Sequence, residues 1–130
     1  MKKLVLGLAV LGFAAGLPLA FADDDLPEGL EGYRLAGETE TCVATTRIDR
    51  TSVLDDYNIV FEMNGNKTYL NRLNSRCPQL GFEDSFMYKV SGSQLCRGEI
   101  ITVLHNGEPG ASCSLGKFEL LEEVEEDGGE

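Results

Sequence analysis

Apolar and polar residues alternate most clearly over residues 58–63, and this alternation predicts a β-strand. Asn64-Gly65 follows directly and is the strongest short-range signal for a β-hairpin. The returning strand is predicted over residues 66–70. One face of the first strand carries Ile59, Phe61 and Met63, and a two-residue turn gives the cross-strand pairs Glu62 with Lys67 and Val60 with Tyr69.

The remaining apolar segments are short, and turn-forming residues separate them. Asp55-Asp56 is interpreted as a turn and residues 105–112 as a glycine-rich loop. Residues 71–82 are expected to be irregular or to contain one short helical turn, because Pro78 biases Cys77 away from helical angles. The further predicted strands are 43–48 with an extension towards 54, 86–90, 100–104 and 117–121.

Short strands at close spacing, without a long amphipathic helix, predict an all-β domain over residues 41–121. We expect a small antiparallel barrel or sandwich of about five to six strands. A barrel of the oligonucleotide/oligosaccharide-binding type is one form that fits this order of strands. Function does not follow from such a likeness, because this architecture serves many unrelated activities.

Four cysteines constrain the architecture more than any other feature of the chain. An even number of cysteines in a short exported chain indicates disulfides, and four cysteines allow three pairings. A closed barrel would bring the start of the first strand close to the start of the last strand. The predicted pairing is therefore Cys42–Cys113 with Cys77–Cys96.

Residues 1–22 have the three-part layout of a secretory signal peptide. Two lysines form a positive start, an apolar run extends over residues 4–17, and Ala20-Phe21-Ala22 places small residues before the cleavage point. The alternative is an uncleaved membrane anchor, since residues 4–22 approach the minimum length of a membrane span. Cleavage would leave the mature chain in the periplasm or secreted, without a membrane contact.

Cleavage after residue 22 would leave 9 basic against 22 acidic residues, a net charge of −13. The acidic excess lies in two arms, residues 23–40 and the tail 122–130. Such a charge disfavours nucleic acid as a partner, because contacts to phosphate need a basic surface. Both arms are expected to be poorly ordered, although Leu26, Leu30 and Leu35 are able to dock the first arm.

The sequence contains no recognisable pattern of catalytic or metal-ligating residues, and no cofactor is predicted. Its single histidine, His105, is interpreted as an exposed loop residue rather than a general base. The cysteines are too widely spaced for a structural zinc site. Asp55-Asp56 could form a catalytic carboxylate pair, but aspartates are common in turns and we prefer that interpretation.

Tyr69, Asn71 and Arg72 form the candidate ligand-binding face. They are the one cluster of side chains in the sequence that could contact a ligand from the face of a sheet. The alternative is that Tyr69 packs half-buried while Asn71 and Arg72 are solvated.

Several short motifs lie within the run from Cys42 to Phe118, and they include Phe61-Glu62-Met63, Tyr69-Leu70-Asn71-Arg72-Leu73, Cys77-Pro78, Leu95-Cys96, Ile100-Ile101-Thr102-Val103 and Cys113-Ser114-Leu115-Gly116-Lys117-Phe118. With these motifs, the run resembles a family of short exported bacterial proteins of unknown function. The resemblance implies a location in the envelope, a β-rich fold and a framework of four cysteines. It implies no activity, so it assigns no functional residue.

These features favour an exported, non-enzymatic binding or interaction module whose partner is a protein or a glycan of the envelope. Two alternatives stay open. The first is a hydrolase that acts through two carboxylates in one cleft. The second is a cation buffer that uses the acidic arms.

Overall fold

The structure is a computed structural model that describes residues 26–90 and 92–124. The predicted signal peptide, the start of the first arm and the end of the tail lie outside the described residues. The described part contains ten strands, β1 Tyr33–Glu40, β2 Cys42–Ala44, β3 Ile48–Val53, β4 Asn58–Met63, β5 Lys67–Arg72, β6 Phe86–Tyr88, β7 Gln94–Cys96, β8 Ile100–His105, β9 Glu108–Ser114 and β10 Phe118–Glu123. A 3₁₀ turn at Thr45–Arg47 separates β2 from β3, and one short helix, α1, spans Leu80–Glu83.

All paired strands of the described chain are antiparallel, which confirms the predicted all-β class. The five-stranded sheet has the order β1-β10-β5-β4-β3, the three-stranded sheet has the order β6-β8-β9, and β2 pairs with β7. The sheets pack in the manner of a sandwich and do not close into a barrel. The barrel alternative is therefore not the one that forms. The described residues contain ten strands, more than the five to six that were predicted.

Two apolar cores lie on opposite faces of the five-stranded sheet. The main core lies between this sheet and the two smaller sheets, and in it the rings of Phe61 and Phe118 meet edge to face with centroids 5.2 Å apart. The second core covers the outer face of the same sheet. Its buried members are Leu30, Val60, Leu70 and Leu121, none more than 5% exposed.

Part of the first acidic arm is an ordered element of the fold, which corrects the prediction that residues 23–40 are poorly ordered. Residues 33–40 form β1 and pair with β10, which itself runs into the predicted tail as far as Glu123. Leu30 is buried in the second core, and Leu26 and Leu35 pack against that core. The docking of these leucines buries apolar area, which offsets the entropy lost on ordering the charged segment.

The hairpin at Asn64-Gly65 is confirmed, but its predicted register was wrong by one residue. The loop holds three residues, so Met63 faces Lys67. Gly65 and Asn66 adopt left-handed backbone angles, with φ of 92° and 70°. A shift of one residue moves every side chain to the opposite face of the sheet. The observed register pairs Phe61 with Tyr69 in the main core and Val60 with Leu70 in the second core.

Residues 105–112, predicted as a loop, instead contribute to a second hairpin. β8 ends at His105, β9 begins at Glu108, and these two residues face each other across Asn106-Gly107. The φ angles of 54° at Asn106 and 84° at Gly107 are those of a type I′ turn. Pro109 and Gly110 at the start of β9 are uncommon in strands, so the sequence did not predict this strand. The turn before it carries the same Asn-Gly signal as the first hairpin.

The disulfides are Cys42–Cys96 and Cys77–Cys113, so the predicted pairing was wrong. Cys42 and Cys96 are direct partners in the β2–β7 pair. Because the sheets do not close into a barrel, the start of the first predicted strand does not come beside Cys113. That cysteine lies on β9 and bonds to Cys77, which precedes α1.

The two bridges interleave along the chain, with sequence separations of 54 and 36 residues. On a chain-entropy estimate each contributes about 4 kcal/mol to stability. With all four cysteines bonded, the disulfides indicate an oxidising compartment outside the cytoplasm. Within the described residues, no helix combines the length and apolar character needed to cross a membrane.

Candidate functional site

The predicted ligand face does not form a common surface. Tyr69 is only 6% exposed and belongs to the main core. Asn71 is fully buried: its side-chain amide donates to the carbonyl of Gly116 and accepts from the N–H of the same residue, both at 2.8 Å. Arg72 forms an ion pair with Glu119 at 2.9 Å. β5 lies between β4 and β10 with a core on each face, so Tyr69 and Asn71 are buried and do not form one ligand face with Arg72, which corrects the prediction.

A more exposed constellation lies at one end of β4, where the β3–β4 loop passes α1. The loop contains Asp55-Asp56, and the interpretation of this pair as turn residues is confirmed. Asp55 Oδ1 accepts a hydrogen bond from the N–H of Tyr57 at 2.8 Å and another from Asn58 Nδ2 at 2.9 Å. These bonds fix the loop, while Tyr57 remains 47% exposed.

Asp56 connects this loop to the segment that carries α1. Its Oδ1 accepts a hydrogen bond from the N–H of Gly81 at 2.8 Å, and its Oδ2 lies 2.9 Å from Arg76 Nη2. The backbone carbonyl of Asp56 accepts a further hydrogen bond from Cys77, next to the disulfide. A Cβ atom on Gly81 would lie only 3.0 Å from the Cα of Asp55, so glycine permits this close approach.

Helix α1 carries two large apolar side chains, one directed into the core and one directed into solvent. Leu80 is fully buried, whereas Phe82 is 81% exposed. Gln79 and Asp84 flank the helix with left-handed backbone angles, φ of 73° and 58°. Such angles cost free energy in residues other than glycine, and they persist where surrounding contacts impose them, often at functional sites.

His105 holds the other end of α1. Its Nδ1 lies 2.5 Å from Glu83 Oε2, and its side chain is 64% exposed. The predicted exposure is confirmed, but His105 ends β8 and is not part of a loop. Asp56 on one side and His105 on the other therefore hold the short helix that presents Phe82.

Tyr57 and Phe82 flank one open concavity of about 540 Å3. We call this region the Tyr57–Phe82 surface; it is lined by Leu54, Asp55, Asp56, Tyr57, Arg76, Gly81 and Phe82. The carboxylates and the arginine in it bond to one another or to other groups of the protein. The groups left to contact another molecule are mainly apolar.

Sequence reasoning did not single out Phe82. One available signal was its setting, because Phe82 follows a glycine and precedes Glu83-Asp84-Ser85, so no apolar neighbour accompanies it. An isolated aromatic residue in a polar turn has few ways to reach a core. The contact between Asp56 and Gly81, which positions the ring, joins residues far apart in sequence and has no local signature.

A second groove, of about 700 Å3, lies beside the far end of the same sheet and is lined by four carboxylates, those of Asp49, Glu62, Glu122 and Glu123. None of the four residues is buried. Two of these carboxylates form ion pairs, Glu62 with Arg50 at 3.7 Å and Glu122 with Arg34 at 2.6 Å. Across residues 26–90 and 92–124, no three metal-ligating side chains are grouped to hold an ion.

Comparisons with protein-family models, with curated proteins and with solved structures find no match for this chain. The resemblance to a family of short exported proteins therefore stays a prediction, and a function for this chain has to be inferred from its surface.

Proposed function

We propose that this chain is an exported, non-enzymatic binding module that holds a partner protein through the Tyr57–Phe82 surface. The observation that carries this proposal is the 81% exposure of Phe82 on a helix that is fixed at both ends. Aromatic side chains are frequent anchors of protein interfaces, because they bury a large apolar area with few rotatable bonds. Burying one phenylalanine contributes about 2 kcal/mol.

The available chemistry supports a protein partner over a glycan. A glycan site needs polar groups that are able to bond to sugar hydroxyls, in addition to an aromatic ring. Here Asp55 and Asp56 already accept hydrogen bonds within the loop and from Gly81. The exposed rings of Tyr57 and Phe82 are suited to an apolar pocket on another protein.

Charge adds a second requirement for the partner. The carboxylates of Asp55 and Asp56 line the Tyr57–Phe82 surface, and the one arginine that lines it, Arg76, is paired with Asp56. The whole chain carries a net charge of −11. Complementary charges raise association rates and specificity, so the expected partner has an apolar pocket with basic residues around it.

Export follows from the predicted signal peptide over residues 1–22, and the two disulfides agree with an oxidising compartment. We place the mature chain in the periplasm or outside the cell. The acidic groove does not favour the hydrolase alternative, because half of its carboxylates are paired with arginine and all of them are accessible to solvent.

Site-specific photo-crosslinking tests the proposal in cells that export the chain. A photoreactive phenylalanine analogue replaces Phe82, and in a matched control it replaces Asn64, which is exposed at the opposite end of β4. Along β4, Asn64 lies about 20 Å from Asn58, which follows Tyr57 at the other end of the strand. We expect a discrete adduct with a protein from position 82 and none from position 64.

Three results would contradict the proposal. They are the absence of any adduct from position 82, equal adducts from both positions, and an adduct in which mass spectrometry finds a glycan and no second protein. The last result would show that the Tyr57–Phe82 surface binds a glycan and not a protein.

A further inference from the structure

A small pocket of about 270 Å3 lies at the end of β4 opposite Tyr57. It is formed by β2, the 3₁₀ turn and the tip of the β4–β5 hairpin. Its floor is largely apolar, with Val43 and Tyr69 both 6% exposed and Met63 partly buried. The volume is near the lower limit for ligand pockets, which suits a molecule of few atoms.

The rim of this pocket carries charges of both signs. Arg47 and Lys67 line it together with Glu40. Neither cation has a carboxylate within 4.0 Å in the described part of the chain. In a chain with twice as many acidic as basic residues, two neighbouring cations without an ion pair are available to bind an anionic group.

The hairpin tip positions Arg47. The carbonyl of Arg47 accepts a hydrogen bond from the N–H of Asn64 at 2.8 Å. Its Nη2 would lie 3.3 Å from a Cβ atom built on Gly65, so the guanidinium lies against that glycine. The hairpin tip therefore fixes both the backbone of Arg47 and the position of its guanidinium at the pocket.

Tyr69 also lines this pocket and carries a hydroxyl group. Burial raises the pKa of the Tyr69 hydroxyl above its usual value, and the charges of Glu40 and Glu38 raise the pKa further. The hydroxyl accordingly keeps its proton at neutral pH. A phenol in this state donates a hydrogen bond to an acceptor such as a carboxylate oxygen.

We propose that this pocket binds a free amino acid with an apolar side chain. The α-carboxylate pairs with Arg47 and Lys67, the α-ammonium group pairs with Glu40, and the side chain rests on Val43 and Met63. A simple anion would face Glu40 without compensation, whereas a zwitterion pairs with both signs of charge on the rim. This site is separate from the Tyr57–Phe82 surface and does not depend on a partner protein.

Titration of the exported chain, with both disulfides formed, tests this proposal by two-dimensional NMR. The probes are leucine, N-acetylleucine and leucinamide, which carry respectively both charges, the negative charge alone and the positive charge alone. We expect leucine to shift the amide signals of Gly65 and Lys67, and each blocked probe to bind at least tenfold more weakly. Equal binding of N-acetylleucine and leucine would overturn the zwitterion assignment, and so would the absence of shifts with leucine.

Charge-neutralising variants locate the binding. We expect Arg47→Gln and Glu40→Gln each to weaken leucine binding at least tenfold, since each removes the partner of one ligand charge. Lys117→Gln is the matched control, because Lys117 is exposed and does not line the pocket, and its affinity should equal that of the wild type. All three side chains are at the surface, so circular dichroism should show unchanged folds. Wild-type affinity in Arg47→Gln or in Glu40→Gln would contradict the proposal.

Discussion

Asn71 and Asp56 each use a side chain to fix a glycine on another segment, but one glycine lies in the interior and the other at the surface. Asn71 bonds to both backbone groups of Gly116 at 2.8 Å, and Asp56 accepts from the N–H of Gly81 at 2.8 Å. We call these contacts the buried joint and the exposed joint. A Cβ atom at Gly116 would overlap the backbone of Arg72, and one at Gly81 would pack tightly against the backbone of Asp55.

The two joints differ in the exposure of the phenylalanine that comes next in the chain. Phe118, just after the buried joint, is fully buried against Phe61. Phe82, just after the exposed joint, is 81% exposed. The same kind of hydrogen bond thus stabilises a core in one region and, in our proposal, presents an aromatic anchor in the other. We therefore expect large effects on stability at the buried joint and effects on binding at the exposed joint.

Removal of the Cys77–Cys113 disulfide should have a larger effect than any single substitution at the two joints, because this bridge lies beside both of them. The N–H of Cys77 bonds to the carbonyl of Asp56, and Cys113 precedes Gly116 on the same stretch of chain. We expect the double substitution Cys77→Ser with Cys113→Ser to lower the free energy of unfolding by about 4 kcal/mol. Denaturant unfolding followed by circular dichroism measures this loss.

The double substitution Cys42→Ser with Cys96→Ser is the control, with a similar expected loss of about 4 kcal/mol, because this bridge joins β2 to β7 and is not hydrogen-bonded to Asp56 or Gly81 in the described residues. The two double variants should differ in local order: only loss of Cys77–Cys113 should speed amide hydrogen exchange at Gly81. Equal exchange rates at Gly81 in both variants would show that the bridge does not support the exposed joint.

Replacing Gly116 or Gly81 with alanine should destabilise the protein by different amounts, with the larger loss at the buried joint. A Cβ on Gly116 would lie 2.1 Å from the carbonyl oxygen of Arg72, whereas a Cβ on Gly81 would lie 3.0 Å from the Cα of Asp55. We expect Gly116→Ala to cost about 3 kcal/mol and Gly81→Ala about 1 kcal/mol, because the first requires a backbone shift inside the core. Thermal and denaturant unfolding of both variants test the order, and equal losses would contradict it.

Removal of the two bonding side chains should show the same order, with a larger loss of stability at the buried joint. Asn71→Ala leaves two buried backbone groups of Gly116 without a partner, at a cost of about 2 kcal/mol. Asp56→Ala exposes its partners to water, so we expect about 1 kcal/mol. Unfolding experiments in denaturant measure both values. A larger loss for Asp56→Ala would reverse our assignment of the two joints.

The sequence carried enough information to predict the strand class and the first hairpin, because alternation and Asn-Gly turn chemistry are local. The three-residue loop and the β8–β9 hairpin were missed, although Asn106-Gly107 carries the same signal as Asn64-Gly65. The cysteine pairing depends on which sheets meet, and that is set by packing between distant segments. The exposed joint could not be predicted for the same reason, since Asp56 and Gly81 are distant in sequence and only the fold brings them together.

The smallest effect on stability is expected at Phe82. Replacement by serine removes a ring that is mostly in solvent, so the free energy of unfolding should change by less than about 0.5 kcal/mol. Ile100→Ser is the matched control, because Ile100 is also a large exposed apolar residue, at 52%, and it lies on β8 and does not line the Tyr57–Phe82 surface. Denaturant unfolding of both variants checks this expectation, and a loss of several kcal/mol for Phe82→Ser would assign the ring to folding.

Photo-crosslinking from position 57 in the presence of these two substitutions tests the central claim most directly. Tyr57 shares the concavity with Phe82, so a photoreactive residue there reports on a partner without replacing the proposed anchor. We predict that Phe82→Ser reduces the protein adduct at least tenfold, since about 2 kcal/mol of burial is lost, while Ile100→Ser leaves it unchanged. An adduct of undiminished yield in Phe82→Ser would contradict the claim that Phe82 is displayed for binding.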